Sequence, residues 1–397
     1  MKKLFVMLAM FIVFIAGTWA NSRHTTVIIS LDGFRWDYPR MYHTPFFDRL
    51  AKEGIQAVMQ PSFPSKTFPN HYTLATGLVP DHHGLIDNRF YDVKTGLTYS
   101  IGDVKTKYDA RFYGGEPIWI TAHKQGVKSG IVYWPGSDVD IQGIHPDYYK
   151  KYDVPRRLTF AERVAEIERL VKLPENERPA LVMAYFEEPD HSGHSFGPTS
   201  PETRKAVETM DVLLEQLYND LRALPNGKDI NFIVTSDHGM TNTSASRIIR
   251  LSEYLKKEWT VRIMPSLPTL IYPAKGCTDK ILKALQNVPH LRVWKKEAVP
   301  AYLNYGTNPN IAEIVALPDP GWVVSEYNRV IAGNHGYDPQ FSEMHVMFRA
   351  AGPDFKQGYK MEKTFKNVDV YSLLAHLLGI TPAQNDGNFS DVQELLK

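Results

Sequence analysis

The sequence predicts an α/β fold, with helices laid against both faces of a mostly parallel β-sheet. Three observations carry this expectation. Apolar, β-branched runs alternate along the chain with helical patterns. Several of those runs lack the polar alternation of a half-exposed strand, so both of their faces must be covered. Three of them end at a stretch that carries an aspartate, Asp32, Asp190 or Asp237, which suits a ligand crevice beyond the carboxyl ends of an open sheet.

Taken in order, His24 to Leu31 is the first buried-type strand. Thr44 to Gly54 has a Thr cap, Pro45 in the first turn and a Gly stop, the pattern of a helix. Ile55 to Met59 is the next strand. It leads to Pro64-Ser65-Lys66-Thr67-Phe68-Pro69-Asn70-His71 and a short helix closed by Gly77. Pro69 suits a first turn, so Thr67 falls at or just before a helix N-terminus, where bare N–H groups favour an anion. Gly130 to Trp134 and Pro179 to Phe186 are further strands. Ser200-Pro201 opens a long helix with Val207, Met210, Leu213, Leu214, Leu217 and Leu221 on one stripe. Ile230 to Thr235 is another buried strand, and Val370 to Leu378 the last helix. Between about 268 and 324 short strands (Thr269–Tyr272, Ile311–Val315) flank a helix near Asp279–Gln286, which predicts a small α+β insertion.

The 397 residues, 43% of them hydrophobic, suffice for one large domain or two medium ones. A net charge of +1 with no basic stripe argues against stable nucleic-acid binding. The one cysteine, Cys277, excludes an intrachain disulfide and any multi-cysteine zinc site, so a metal must be held by histidines and carboxylates. Lys2-Lys3, an apolar run to Gly17 and small residues to Ala20 read as a secretory signal over residues 1–20, leaving 21–397 as the working domain. The run is shorter than the roughly 20 residues of a spanning helix. The expected location is periplasmic or secreted.

The acids gain meaning from the histidines beside them. His238 adjoins Asp237, His194 lies four residues after Asp190, and His335 sits in a glycine-flanked loop. Three carboxylates gathered in a partly dry pocket repel one another unless a cation neutralises them. Aspartate and histidine without thiolates suit zinc sites with open positions. Six such ligands and a hydroxyl exceed one tetrahedral ion, which implies two metals about 4 Å apart. His191 has a poorer offset than His194, and His71, His82 and His83 read as surface or supporting residues.

Lys66-Thr67-Phe68-Pro69-Asn70-His71-Tyr72, Thr76-Gly77-Leu78, His83-Gly84-Leu85-Ile86-Asp87-Asn88, Trp134-Pro135-Gly136-Ser137, Glu188-Pro189-Asp190 with His194, Thr235-Ser236-Asp237-His238-Gly239-Met240 and Gly333-Asn334-His335-Gly336-Tyr337 follow one another along the chain. This series resembles the nucleotide pyrophosphatase/phosphodiesterase family of the alkaline phosphatase superfamily, in the form of a bare bacterial catalytic domain. The resemblance implies a three-layer α/β/α sandwich of the alkaline phosphatase type and two Zn²⁺ ions. Asp190, His194 and His335 would hold one, and Asp32, Asp237 and His238 the other, with Thr67 bridging to the second as nucleophile. Asn88 would contact a phosphate oxygen, and Phe68 and Tyr152 would stack on a nucleobase. Asp138 and Lys150 are near enough in sequence to line the same pocket. The implied reaction is hydrolysis of nucleoside triphosphates and dinucleotides to 5′-monophosphates through a phospho-threonine. The alternatives are a choline-phosphate or lysophospholipid diesterase and a phosphate monoesterase.

Overall fold

The computed structural model describes residues 24–328 and 330–397; the signal read over residues 1–20 lies outside them. Its main sheet contains β1 (Thr25–Leu31), β2 (Ile55–Gln60), β3 (Ser129–Val132), β4 (Tyr148–Lys150), β5 (Leu181–Phe186), β6 (Ile230–Thr235) and β7 (Val346–Ala351). Their spatial order is β2-β7-β6-β1-β5-β3-β4, with the short strands Tyr359–Lys360 and Phe365–Lys366 along the outer side of β2. Only β7 runs against its neighbours. The most apolar strand takes the centre: all seven residues of β1 are buried, and it pairs in parallel with both β5 and β6. Thr26 to Leu31 face Leu181 to Phe186 one for one, so these strands end level with each other.

Alternate side chains of β1 feed two separate cores, as a pleated strand requires. Val27, Ile29 and Leu31 pack with helices α1 (Pro45–Glu53), α4 (Phe160–Val171) and α6 (Pro201–Arg222), which bring Phe46, Leu50, Ile167, Val207 and Leu214. Ile28 packs on the other side with α2 (Thr67–Thr76), α3 (Ile118–Lys124) and α7 (Asp369–Leu377), which bring Tyr72, Leu74, Trp119 and Leu373. Each such side chain contributes roughly 1.5–3 kcal/mol when fully buried. The result is helix, sheet and helix in three layers.

A second sheet of four antiparallel strands follows, in the order Thr260–Met264, Thr269–Pro273, Ile314–Pro318, Leu291–Lys295. The helix Thr278–Leu285 packs Ile281 and Leu285 into its core. The first of these strands precedes residue 268, the start of the insertion that the sequence predicts. It is half exposed, with Val261 outward, and so has no apolar run to mark it. The third starts at Ile314 rather than Ile311, because Ile311 and Ala312 are buried from a loop. Asp81 ties this unit to the main domain by accepting the backbone N–H groups of Gly306, Thr307 and Asn308 at 2.9–3.0 Å. A further departure is that β3 stops at Val132. Tyr133 has φ +65°, which turns the chain and brings Tyr133 and Trp134 to the rim of a cleft.

Candidate active site

The level ends of β1, β5 and β6 bring the three acids together. Asp32 directly follows β1, and Asp237 and His238 lie just beyond β6. Asp190 opens the short helix α5 (Asp190–Phe196), which places His194 one turn later on the same side. The Asp190 N–H donates to the Asp32 carbonyl at 2.9 Å, which locks α5 to the end of β1. Only glycine fits between them: a Cβ on Gly33, at φ +70°, would lie 2.9 Å from the Asp190 Cβ. His335 follows the strand pair formed by Gly333–Asn334 and Thr241–Asn242. Thr67 is the first residue of α2, and Gly77 closes that helix in the left-handed conformation.

These side chains form one cluster. His238 Nε2 lies 3.1 Å from Thr67 Oγ1, 3.1 Å from Asp237 Oδ2 and 3.3 Å from Asp32 Oδ1. Asp190 Oδ1 lies 3.4 Å from His194 Nε2 and 3.6 Å from His335 Nε2. Two groups of three thus have metal-ligating spacing, Asp190-His194-His335 and Asp32-Asp190-His238. Asp190 belongs to both.

The donor chemistry fits a cation. Each histidine has Nδ1 2.8–2.9 Å from a backbone carbonyl: Gly333 for His194, Ser65 for His335, Gly239 for His238. The Nδ1–H donates there, leaving each Nε2 with a bare lone pair aimed into the cluster. Burial holds His194 and His238 down to about 4 and His335 well below its usual range, so the rings are neutral. His194 Nε2 and His335 Nε2 face each other at 3.1 Å with no proton to share. Two ligands of a tetrahedral ion at 2.0–2.1 Å stand about 3.3 Å apart. The carboxylates show the same need. Asp32 Oδ1, Asp190 Oδ1 and Asp237 Oδ2 are buried without a hydrogen-bond donor, and they are the oxygens that face the imidazoles. Burial, and then the Asp237 charge, pushes Asp32 and Asp190 well above the usual carboxylate range.

Residues 26–338 match the family described as type I phosphodiesterase / nucleotide pyrophosphatase. The chain belongs to this family. It is 38% identical over 393 residues to human ectonucleotide pyrophosphatase/phosphodiesterase family member 1; the match covers 94% of this chain but 42% of that protein, less than half its length. Human family member 5 is 38% identical over 375 residues, covering 93% of this chain and 77% of the relative. Among solved structures, human member 5 superposes with a TM-score of 0.89 at 37% identity. The murine protein, as an inactive threonine-to-alanine form in complex with AMP, superposes with 0.88 at 37%. Both matches cover 94% of this chain and all of the other. The alkaline phosphatase-like fold expected of the phosphodiesterase family is therefore present.

A cleft of about 260 Å³ opens beside the cluster, lined by Thr67, Phe68, Asn88 and Tyr152 among others. Asn88 Oδ1 accepts the Phe68 N–H at 3.0 Å, so its amide N–H groups remain for the cleft. Asp138 lines the cleft, but Lys150 does not: it pairs with Glu166 at 3.3 Å. His191 is exposed, and His82 is an exposed residue paired with Asp386 at 2.7 Å. His71 and His83 are fully buried rather than superficial. His71 lies beneath the cluster, with Nδ1 2.9 Å from the Thr67 carbonyl and Nε2 2.8 Å from the Ser30 hydroxyl. Lys107, Tyr108, Tyr133 and Tyr185 also line the cleft, and of these only Tyr185 is marked in the sequence, as a phenol next to the last residue of a buried strand beside the acids. Its hydroxyl donates to Asp32 Oδ2 at 2.6 Å.

Proposed function

We propose that this chain is an exported two-zinc phosphodiesterase and pyrophosphatase that releases nucleoside 5′-monophosphates through a phospho-threonine at Thr67. The observation that carries the reading is the Thr67 hydroxyl, 3.1 Å from His238 Nε2 at a helix start and within a cluster of bare ligand atoms. Zinc held by Asp190, His194 and His335, and by Asp32, Asp237 and His238 with Thr67, would lower the hydroxyl's pKa and neutralise charge on phosphate. Thr67 Oγ attacks phosphorus in line, the bond to the leaving oxygen breaks, and water then cleaves the phospho-threonine. Two inversions leave the configuration at phosphorus retained. Asn88 gives an amide N–H to a non-bridging oxygen, where negative charge grows in the transition state. Phe68 and Tyr152 hold the base by stacking, which tolerates different bases.

Support comes from the murine relative, whose inactive form carries a threonine-to-alanine change and holds AMP. The monoesterase reading fits less well: among the described residues no arginine lines the cleft to clamp a monoester dianion. The aromatic wall of Tyr108, Tyr133 and Tyr152 suits a base and a choline headgroup alike, so turnover decides between those two. Among the described residues no helix is long and apolar enough to cross a membrane, and the signal at 1–20 is the basis for export. The test is a panel on one purified sample with metal analysis: the p-nitrophenyl ester of TMP, p-nitrophenylphosphorylcholine and p-nitrophenyl phosphate. Fastest turnover of the nucleotide ester, with two zinc ions per chain, is expected. Faster choline-ester or monoester cleavage overturns the substrate assignment.

A further inference from the structure

Resting on the nucleotide reading above, we propose that Glu187 and Arg163 are positioning residues that hold the Tyr152 ring as a preformed stacking face and so set the preference for substrates bearing a base. Tyr152 lies two residues beyond the end of β4, on a stretch with no strand or helix to fix it. Side chains hold it instead. Its hydroxyl donates to Glu187 Oε1 at 2.9 Å and accepts from Arg157 at 2.6 Å. Its backbone N–H donates to Asp138 Oδ2 at 3.0 Å. The ring meets Tyr133 edge-on, with centroids 5.3 Å apart and planes at 84°.

Glu187 is itself immobilised. Both nitrogens of the Arg163 fork reach its carboxylate, at 2.6 and 2.8 Å. Arg163 is buried on α4 and also donates to the carbonyls of Tyr185 (2.8 Å) and Leu158 (3.2 Å). A planar, bidentate pair of this kind has one orientation. Glu187 stands three residues before Asp190, so the same short loop that carries a cluster ligand also anchors the aromatic wall. A ring fixed before binding loses little freedom when a base stacks on it. Released from Glu187, the ring must be ordered by the substrate.

The experiment compares kcat/KM for the p-nitrophenyl ester of TMP with that for methyl p-nitrophenyl phosphate, which has no base. Tyr152→Phe keeps the ring and removes its anchor; Glu187→Ala removes the anchor and keeps the tyrosine. In each, the nucleotide-to-methyl ratio is expected to fall about 5–20-fold, through a rise in KM for the nucleotide ester. Glu187→Gln, which still offers a carbonyl oxygen to the phenol, should recover most of it. The Tyr152→Phe/Glu187→Ala double variant should fall no further than the single ones. Glu187→Ala lowering both esters by one factor would mean a merely structural brace and overturns the proposal, as does an unchanged ratio. Tyr152→Leu separates the layers. If wild-type protein shows no preference for the base, the nucleotide reading fails. If Tyr152→Leu abolishes a preference that Glu187→Ala leaves intact, only the present inference fails.

Discussion

Replacing Asn88 by aspartate tests the assignment of the phosphate-facing donor. The carboxamide oxygen of Asn88 already accepts the Phe68 N–H at 3.0 Å. An aspartate keeps that acceptor, and with it the geometry of the first turn of α2, but has no N–H to give. Removing one such donor costs about 10²–10³ in kcat, or roughly 2.7–4 kcal/mol. The new carboxylate also repels a phosphate that is gaining charge, so Asn88→Asp should lose at least about 10³ in kcat/KM. The loss should fall on kcat, because the bond strengthens as the transition state forms. Asn88→Ala serves as the contrast: it loses the donor and also strands the Phe68 N–H, at a stability cost of about 1–3 kcal/mol. Steady-state kinetics on the nucleotide ester, with thermal melts and metal content for each variant, read all three effects. An Asn88→Asp enzyme within tenfold of wild-type kcat/KM, with normal metal content, refutes the role.

Thr67→Ala should lower turnover by several orders of magnitude while zinc content, read by elemental analysis, stays at two per chain; retained activity means that another group is the nucleophile. Exhaustive chelation should abolish turnover and lower the melting temperature, since Asp32, Asp190 and Asp237 are then left to repel one another. Zinc should restore both, and full activity in metal-free protein would exclude the two-ion reading. His83 gives a pH test away from the cluster. Its Nδ1 accepts the Leu85 N–H at 3.2 Å and its Nε2 lies 3.1 Å from the Pro69 carbonyl, which fixes a neutral ring. Burial lowers its pKa from 6.5 to about 3, so its contribution is intact above pH 6.5 and is lost as pH falls towards 3. Between pH 6.5 and 5 the loss is about 2 kcal/mol. His83→Gln should flatten that part of the melting-temperature profile, and an unchanged acid limb would show that the ring is already protonated.

The order of strands and the places where they end were legible because burial leaves a chemical mark. TTVIISL at β1 and INFIVT at β6 are buried throughout, and the acid follows β1 at once and β6 after one serine. The members of the cluster were legible because aspartate and histidine are conspicuous beside such strands. Phe68, Asn88, Asp138 and Tyr152 on the cleft wall were legible too, but the rest of the wall was not, for an equally physical reason. Tyr133 reaches it through a reversed φ, and Lys107 and Tyr108 from the end of the four-residue helix Val104–Lys107, too short to show a periodic pattern; a tyrosine in such a segment has the same composition signature whether it faces water or a ligand. Lys150 was misplaced by the same blindness: on β4 it points to Glu166 of α4, a partner sixteen residues away on another layer. The edge strand Thr260–Met264 escaped because half its residues face solvent.

The cluster also bears on why the fold tolerates it. Asp32 and Asp190 are joined by a backbone hydrogen bond and Gly33 is pressed against Asp190, so these two carboxylates cannot move apart to relieve their repulsion. The parallel register of β1 with β5 and β6 sets their spacing, and the two apolar cores above and below set the register. An electrostatically unfavourable arrangement is thereby held in place by hydrophobic packing distant from it. Loss of register by one residue would turn Leu31 and its neighbours to the wrong core, so the sheet cannot slip to ease the charges. Protonation or a bound cation then relieves them, and in the proposed mechanism the same geometry holds the Thr67 oxygen 3.1 Å from His238 Nε2, where the hydroxyl is to be ionised.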